Sequence, residues 1–436
     1  MKIFNTLTGR LEEFKSINEG VVNMYVCGPT VYNYAHIGNM LPPIVFDMVY
    51  RYFTYLGYKV NYASNFTDVD DKIINAALEL NVEEKEITEK FIKIYLDNMD
   101  DLNCLPLYKR PKVTESMDSI INFIQLLLDK GYAYKSGTDV YFDTTQIKDY
   151  GILSKQNMDS LNNGARILVS ENKRSSNDFV LWKETDKGIK WDAPFGTGRP
   201  GWHTECVVMI NDLFGHNIDI HGGGVDLKFP HHENERAQNI AAYNSELANY
   251  WMHNGHVMVN GVKMSKSLGN FILAKDVLEK YNSNVIRLAI FKSHYRTPID
   301  FKDELFNEAK SIDEKLNNVF KQASLLIKTN GYKYGTLTKD EKINEIMDND
   351  FNTPNLLTYQ NELLKKINVE LRSKVDFIDT LDKLILINNI LGLDYKVRDY
   401  NDEEISMYND WNKVRSEKNF ELADELRKKL EEANIL

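Results

Sequence analysis

Three groups of residues have the types and spacing to do chemistry. The first is His36-Ile37-Gly38-Asn39, which comes shortly after a strand-like run ending at Cys27. An α/β sheet presents its ligand crevice at the carboxyl ends of its strands, and the free amides of a helix N-terminus there favour phosphate. His36 and Asn39 can donate hydrogen bonds to a triphosphate, while Gly38 lets a ligand approach the backbone closely. Alone, so short a string is equally consistent with loop packing.

The second group is Lys263-Met264-Ser265-Lys266-Ser267. It follows Val257-Met258-Val259 and an Asn260-Gly261 pair, the preferred turn of a tight hairpin, and Val262 leads the chain back. Lys263 and Lys266 are placed to neutralise charge that builds on a departing pyrophosphate. A solvated charged loop is the usual fate of two neighbouring lysines, but this string downstream of His36 favours the catalytic role.

The third group is Cys27 and Cys206 with His231 and Glu235. The last two stand four apart on a predicted helix and so share one face. Two thiolates, an imidazole and a carboxylate form a set that suits zinc. Spacing leaves His232 and Glu233 open as alternative ligands. Because Cys27 ends the strand leading into the His36 motif, a metal there would sit beside the phosphate-binding loop.

These residues need a scaffold. Met24-Tyr25-Val26-Cys27 reads as a strand, and from about Gly38 a helix follows with Ile44, Val45, Met48, Tyr52 and Leu56 on one face. Pro42 and Pro43 then fall in its first turn. Gly57 closes it, and Lys59-Val60-Asn61-Tyr62-Ala63 forms the next strand, completing a βαβ unit. Ile218-Asp219-Ile220 is a later strand ending in His221-Gly222-Gly223-Gly224, followed by a helix from about Pro230 to Tyr243. Hairpin-like pieces such as Asp139-Val140-Tyr141-Phe142-Asp143 lie between the two α/β halves and indicate an inserted domain. After about Asp303 the pattern is helical, with Leu316, Val319, Phe320, Ala323 and Leu326 at helical spacing, and Thr353-Pro354 reads as a helix start.

The chain has 436 residues, 43% hydrophobic and 27% charged, the balance of a soluble globular protein with several domains. No apolar run is long enough to span a bilayer, and Met1-Lys2-Ile3-Phe4-Asn5 turns polar too soon for a signal peptide, so a cytoplasmic location is expected. Three cysteines, Cys27, Cys104 and Cys206, argue against a disulfide framework; Cys104 reads as a buried small hydrophobe. A net charge of -11 excludes indiscriminate coating of nucleic acid but not local contact with one through basic stripes.

Longer strings surround these groups. They are Tyr25-Val26-Cys27-Gly28-Pro29-Thr30-Val31-Tyr32, Thr67-Asp68-Val69-Asp70-Asp71-Lys72-Ile73 and Gly198-Arg199-Pro200-Gly201-Trp202-His203-Thr204-Glu205-Cys206. Phe229-Pro230-His231-His232-Glu233-Asn234-Glu235 and Asp350-Phe351-Asn352-Thr353-Pro354 continue the series. Together with the HIGH-like and KMSKS strings, they make nearly the whole chain resemble the cysteinyl-tRNA synthetases, a class I family.

The resemblance implies a Rossmann-like catalytic domain split by an insertion, followed by an all-helical anticodon-binding region. The expected division is residues 1–110 and 201–255 for the catalytic halves and 111–200 for the insertion. Residues 256–305 would form the KMSKS and stem-contact region, and 306–436 the helical part. It implies a monomer that activates L-cysteine with ATP and Mg2+ and passes it to tRNA(Cys), with no membrane partner. By the same resemblance His36, Asn39, Lys263 and Lys266 are catalytic. Gly38, His221, Gly223, Asp226 and Lys266 contact ATP, with His221 to Gly224 bordering the adenosine. Thr67 and Trp202 bind the amino acid, and one zinc is held by Cys27, Cys206, His231 and Glu235. Zinc reading the thiolate makes physical sense, since shape alone separates cysteine from serine only modestly. With four protein ligands the ion must go five-coordinate or loosen one when cysteine arrives. The amphipathic stretches around Leu363-Leu364-Lys365-Lys366 and Leu422 to Lys429 are expected near the anticodon.

Leu41 departs from the family's usual arginine, Lys112 replaces another, and the chain stops at Leu436 soon after Leu422-Ala423-Asp424. Two rivals share features: a ligase of the mycothiol pathway that passes cysteine to an amino sugar, and a tRNA-binding paralogue without catalysis. The long helical tail disfavours the first; the intact His36, Asn39, Lys263 and Lys266 disfavour the second.

Overall fold

The computed structural model describes residues 1–156, 173–264, 269–433 and 435. It divides into two compact units, one of Met1–Lys280 with Tyr295–Asp300 and one of Tyr281–His294 with Phe301–Leu436.

The first unit opens on a small antiparallel pair, β1 (Lys2–Asn5) and β2 (Arg10–Glu13). Next come β3 (Val21–Val26), helix α1 (Ile37–Leu56) and β4 (Lys59–Ala63), with β3 and β4 parallel. That is the expected βαβ unit. Gly57 ends α1 with φ 99°, a conformation glycine adopts without a Cβ penalty. α1 starts at Ile37, so Pro42 and Pro43 lie inside the helix beyond its first turn. Their missing N–H groups leave the carbonyls of Gly38 and Asn39 without helical donors. Helices α2 (Asp71–Leu80) and α3 (Glu84–Asp101) follow.

The insertion consists of α4 (Met117–Asp129) and an antiparallel sheet of β5 (Ala133–Ser136), β6 (Asp139–Phe142), β7 (Phe179–Glu184) and β8 (Gly198–Pro200) in that order. The chain returns to the core through α5 (Trp202–Phe214), β9 (Ile218–Gly224), α6 (His231–Tyr243) and β10 (Ala248–Asn254). The central sheet is parallel in the order β10-β9-β3-β4.

β9 runs past Ile220 through the glycines, because Gly222 pairs with both Val26 and Met252. A Cβ on Gly222 would lie 2.2 Å from Phe46 Cζ of α1, so only glycine lets the strand continue beneath that helix. His221 therefore sits inside a central strand. α6 is polar in sequence yet buried from His231 to Asn239, so its polar groups must find internal partners. The hairpin β11 (Val257–Val259) and β12 (Val262–Lys263) turns at Asn260 and Gly261, with φ 50° and 77°, the pair of positive values that an Asn-Gly turn provides. Helix α7 (Ala274–Lys280) ends this stretch.

The second unit is built of helices, among them Asp303–Asn330, Thr353–Ser373, Ile378–Leu391, Asp402–Ser416 and Phe420–Glu432. Leu316, Val319, Phe320 and Ala323 are buried as their spacing predicts, but Leu325 takes the place expected of Leu326. Asn352, not Thr353, caps the Thr353 helix, accepting from the Asn355 N–H at 3.1 Å. No helix among the described residues is long and apolar enough to cross a membrane.

Candidate active site and metal centre

A cleft of about 390 Å³ opens at the carboxyl edge of β3 and β9, and Cys27, His36, Gly38, Asn39, Trp202, Asp226 and Lys263 all line it. Residues from five separate stretches of sequence thus meet at one place. Lys266 lies outside the described residues.

The start of α1 is prepared by its own side chains. His36 takes an extended conformation at the N-cap, and Asn39 Oδ1 accepts its N–H at 3.1 Å. This leaves Nδ2, the donating end of the amide, for a ligand. The segment after the lysine loop is stitched to the same spot: Ile37 N–H donates to Ile272 O and Ala274 N–H to Ala35 O, both at 2.9 Å. A Cβ on Gly38 would come within 2.9 Å of Met264 Cε. The His36 and Lys263 strings therefore touch.

Cys27, Cys206, His231 and Glu235 offer ligand atoms that all lie within 4.8 Å of one another. The two cysteines are free thiols with their sulfurs 3.6 Å apart, close to the edge of about 3.7 Å expected when both bind one zinc at about 2.3 Å. His231 Nε2 is buried and lies 2.8 Å from Glu235 Oε1. Two soft sulfurs, one imidazole nitrogen and one carboxylate oxygen converging in this way fit a zinc ion. Glu233 is not part of the cluster, since its Oε2 accepts the Ser154 N–H at 2.7 Å. His232 approaches from the other side, its Nε2 3.4 Å from Cys27 Sγ. With His221 it completes a second grouping that also uses Cys27 and Glu235.

The electrostatics of the protein alone are those of a crowded, dry site. Burial pushes the Cys27 thiol up, whereas the hydrogen bond from Cys27 brings Cys206 down to about 7. Burial opposes a charge on His231, but the Glu235 carboxylate overcomes it and raises the imidazole to about 10. Burial likewise opposes the charge on Glu235, and His231 and His221 hold it well below the usual range. Burial lowers His203 to about 3.

Trp202 is 41% exposed and stacks on His231 with ring centroids 4.2 Å apart. Thr67 is buried, donating from Oγ1 to Glu205 Oε2 at 3.1 Å and accepting from Asn65 at 3.2 Å. His221 does not line the cleft. It is fully buried, with Nδ1 3.0 Å from the Tyr25 carbonyl and Nε2 2.6 Å from Glu235 Oε2. The resemblance expects it to border the adenosine; in the structure the strand runs on through the glycines and encloses its ring. Gly223 also lies within the strand, where a Cβ would crowd Leu227 and His232. Leu41 is buried at the cleft floor, and Lys112 faces Glu115 at 3.7 Å.

Two residues that spacing did not single out join the site. Asn65 Oδ1 accepts the Gly28 N–H at 2.9 Å and lies 3.6 Å from Cys206 Sγ. Glu205 is buried under Thr67, and burial raises its carboxyl well above the usual range. Glu205 adjoins Cys206 and Asn65 lies near Thr67 in sequence, but their partners are distant along the chain.

Residues 13–311 match the family model for the class I (C) tRNA synthetase catalytic domain, and residues 342–396 match the DALR domain. The cysteine–tRNA ligase of Listeria monocytogenes is 45% identical over 456 residues, covering 100% of this chain and 97% of the relative. The chain belongs to the cysteinyl-tRNA synthetase family. The cysteine–tRNA ligase of Shouchella clausii is a further cysteinyl-tRNA synthetase at 47% identity over 451 residues, covering 100% of this chain and 97% of the relative. A Mycobacterium tuberculosis methionyl-tRNA synthetase in complex with methionyl-adenylate shares the fold. It has a TM-score of 0.57 and 14% identity, and the match covers 90% of this chain and 84% of that one. The α/β catalytic unit and helical C-terminal unit are thus those of a class I synthetase.

Proposed function

We propose that the protein activates L-cysteine with ATP and transfers it to the 3′ end of tRNA(Cys). The observation that carries this reading is that Cys27 belongs both to the cleft wall and to the thiol, imidazole and carboxylate cluster. A soft-ligand centre thus borders a crevice with the features of a triphosphate site.

In the first step the cysteine carboxylate attacks the α-phosphorus of ATP. One P–O bond forms, the bond to the β-phosphate bridge breaks, and pyrophosphate leaves with that electron pair. His36 and Asn39 donate hydrogen bonds to the triphosphate, and Gly38 admits it against the helix N-terminus. Lys263 and Lys266 neutralise charge on the departing pyrophosphate, with Mg2+ accompanying the nucleotide. Asp226, exposed on the cleft rim, faces the nucleoside end. Trp202 covers the amino acid, and Thr67 with Glu205 shapes its floor. Positioning and charge neutralisation supply the catalysis, with no covalent enzyme intermediate.

Cys27, Cys206, His231 and Glu235 would hold a zinc ion, which when bound accepts a thiolate far more readily than a hydroxyl. That preference separates cysteine from serine where a pocket reading shape would not. In the second step a terminal ribose hydroxyl of the tRNA attacks the acyl carbon, AMP leaves, and the hydroxyl proton is lost.

The insertion over 111–200 and the stretch 256–305 would guide the acceptor end, and residues 306–436 would reach the anticodon. The DALR match and the exposed Lys365, Lys366, Lys428 and Lys429 support that last role. The protein would act as a cytoplasmic monomer. Charging of tRNA(Cys) with labelled cysteine tests the proposal. Product only with an amino-sugar acceptor would transfer the chain to the rival ligase class, and no product with either would contradict the enzyme reading.

A further inference from the structure

Each of the two harder ligands in the cluster is met from behind by another histidine, half-buried His203 behind His231 and fully buried His221 behind Glu235. His203 Nδ1 lies 3.0 Å from His231 Nδ1. His221 Nε2 lies 2.6 Å from Glu235 Oε2. These contacts occupy the far nitrogen of His231 and the far oxygen of Glu235. The near atoms, His231 Nε2 and Glu235 Oε1, are left facing one another at 2.8 Å beside Cys27.

Both gripping histidines are themselves fixed. His221 is fully buried, and its Nδ1 is 3.0 Å from the Tyr25 carbonyl on the neighbouring strand. The Tyr25 oxygen and the Glu235 carboxylate are both acceptors, so each ring nitrogen of His221 faces an acceptor and the ring is held between them. His203 follows Trp202 at the start of α5. Its backbone carbonyl accepts from Gln238 Nε2 at 2.7 Å, and its ring meets the edge of Phe179 at 5.5 Å. If His231 gives Nε2 to a metal, its Nδ1 must carry the proton and donate to His203 Nδ1. Neither His203 nor His221 is among the residues that line the cleft.

We infer that His203 and His221 are positioning residues that select which atoms of His231 and Glu235 face the metal, and that His221 serves this role instead of contacting ATP. The inference rests on the zinc reading proposed above. Loss of such outer partners weakens metal binding by about 10–100-fold.

The test is zinc affinity by chelator competition on the full-length protein, with ATP–pyrophosphate exchange run in parallel. His203→Ala and His221→Asn should each weaken zinc binding by about 10–100-fold while the KM for ATP stays within about twofold of the parent. The amide of asparagine reaches the place of Nδ1 and that of glutamine the place of Nε2. His203→Asn and His221→Gln should therefore recover much of the affinity, and this rescue separates orientation from simple packing. The Co2+-substituted protein gives a second readout, since a reoriented ligand shifts its visible absorption. Parent protein that binds no zinc would remove the zinc reading and this inference with it. Parent protein that binds zinc, with His203→Ala and His221→Asn binding equally well, would overturn the inference alone. A raised KM for ATP in His221→Asn with unchanged zinc affinity would return His221 to the nucleotide.

Discussion

The indole of Trp202 lies flat over the His231 imidazole, with centroids 4.2 Å apart and planes inclined by 20°. One face of the tryptophan thus rests on a candidate metal ligand, while the side chain stays 41% exposed at the cleft.

Trp202→Ala should therefore raise the KM for cysteine by up to roughly tenfold, the scale of one lost aromatic contact, and leave thermal stability nearly unchanged. Trp202→Phe should restore most of it. Pyrophosphate exchange against cysteine concentration checks this; an unchanged KM in the alanine variant would mean the ring is only packing.

Cys206→Ser should remove the bound metal, because a hydroxyl is a poor zinc ligand and the helix around it is otherwise unaltered. Elemental analysis of the purified variant reads the outcome. Full retention of zinc would mean the ligand set is wrong and would direct attention to Cys27, His221, His232 and Glu235, the second grouping of ligand atoms.

Lys266→Ala should lower adenylate formation by roughly 100-fold or more, as expected when a transition-state charge contact is lost. Pre-steady-state formation of cysteinyl-adenylate is the measurement. A near-normal rate would end the proposed role of this lysine.

Gly28 leaves no room for a side chain, since an added Cβ would lie 1.7 Å from the Asn65 carbonyl oxygen. Backbone cannot swing aside as a flexible side chain can. Gly28→Ala should cost at least about 1–3 kcal/mol and lower the melting temperature. It should also lower cysteine activation, because Gly28 anchors Asn65 next to Cys206. A variant as stable as the parent would contradict the close approach.

Much of the site was legible because its strings carry local physics. The Asn260-Gly261 turn, the helix that follows Cys27 and the His231 to Glu235 spacing each follow from short-range rules. The course of the strand at His221 was not legible, because glycines normally signal the end of a strand, whereas here Phe46 of a crossing helix requires them within it. Asn65, His203 and Glu205 could not be singled out by spacing, since each acts through a partner far along the chain. Pro42 and Pro43 lie at the sixth and seventh positions of a helix that begins at Ile37, beyond the first turn expected for them.

The most direct test of the central claim is ATP–pyrophosphate exchange with each amino acid, run with and without a zinc chelator. The account predicts exchange that requires cysteine, ignores serine and falls when zinc is removed. Exchange that persists undiminished after complete removal of zinc, or that proceeds equally with serine, would contradict it.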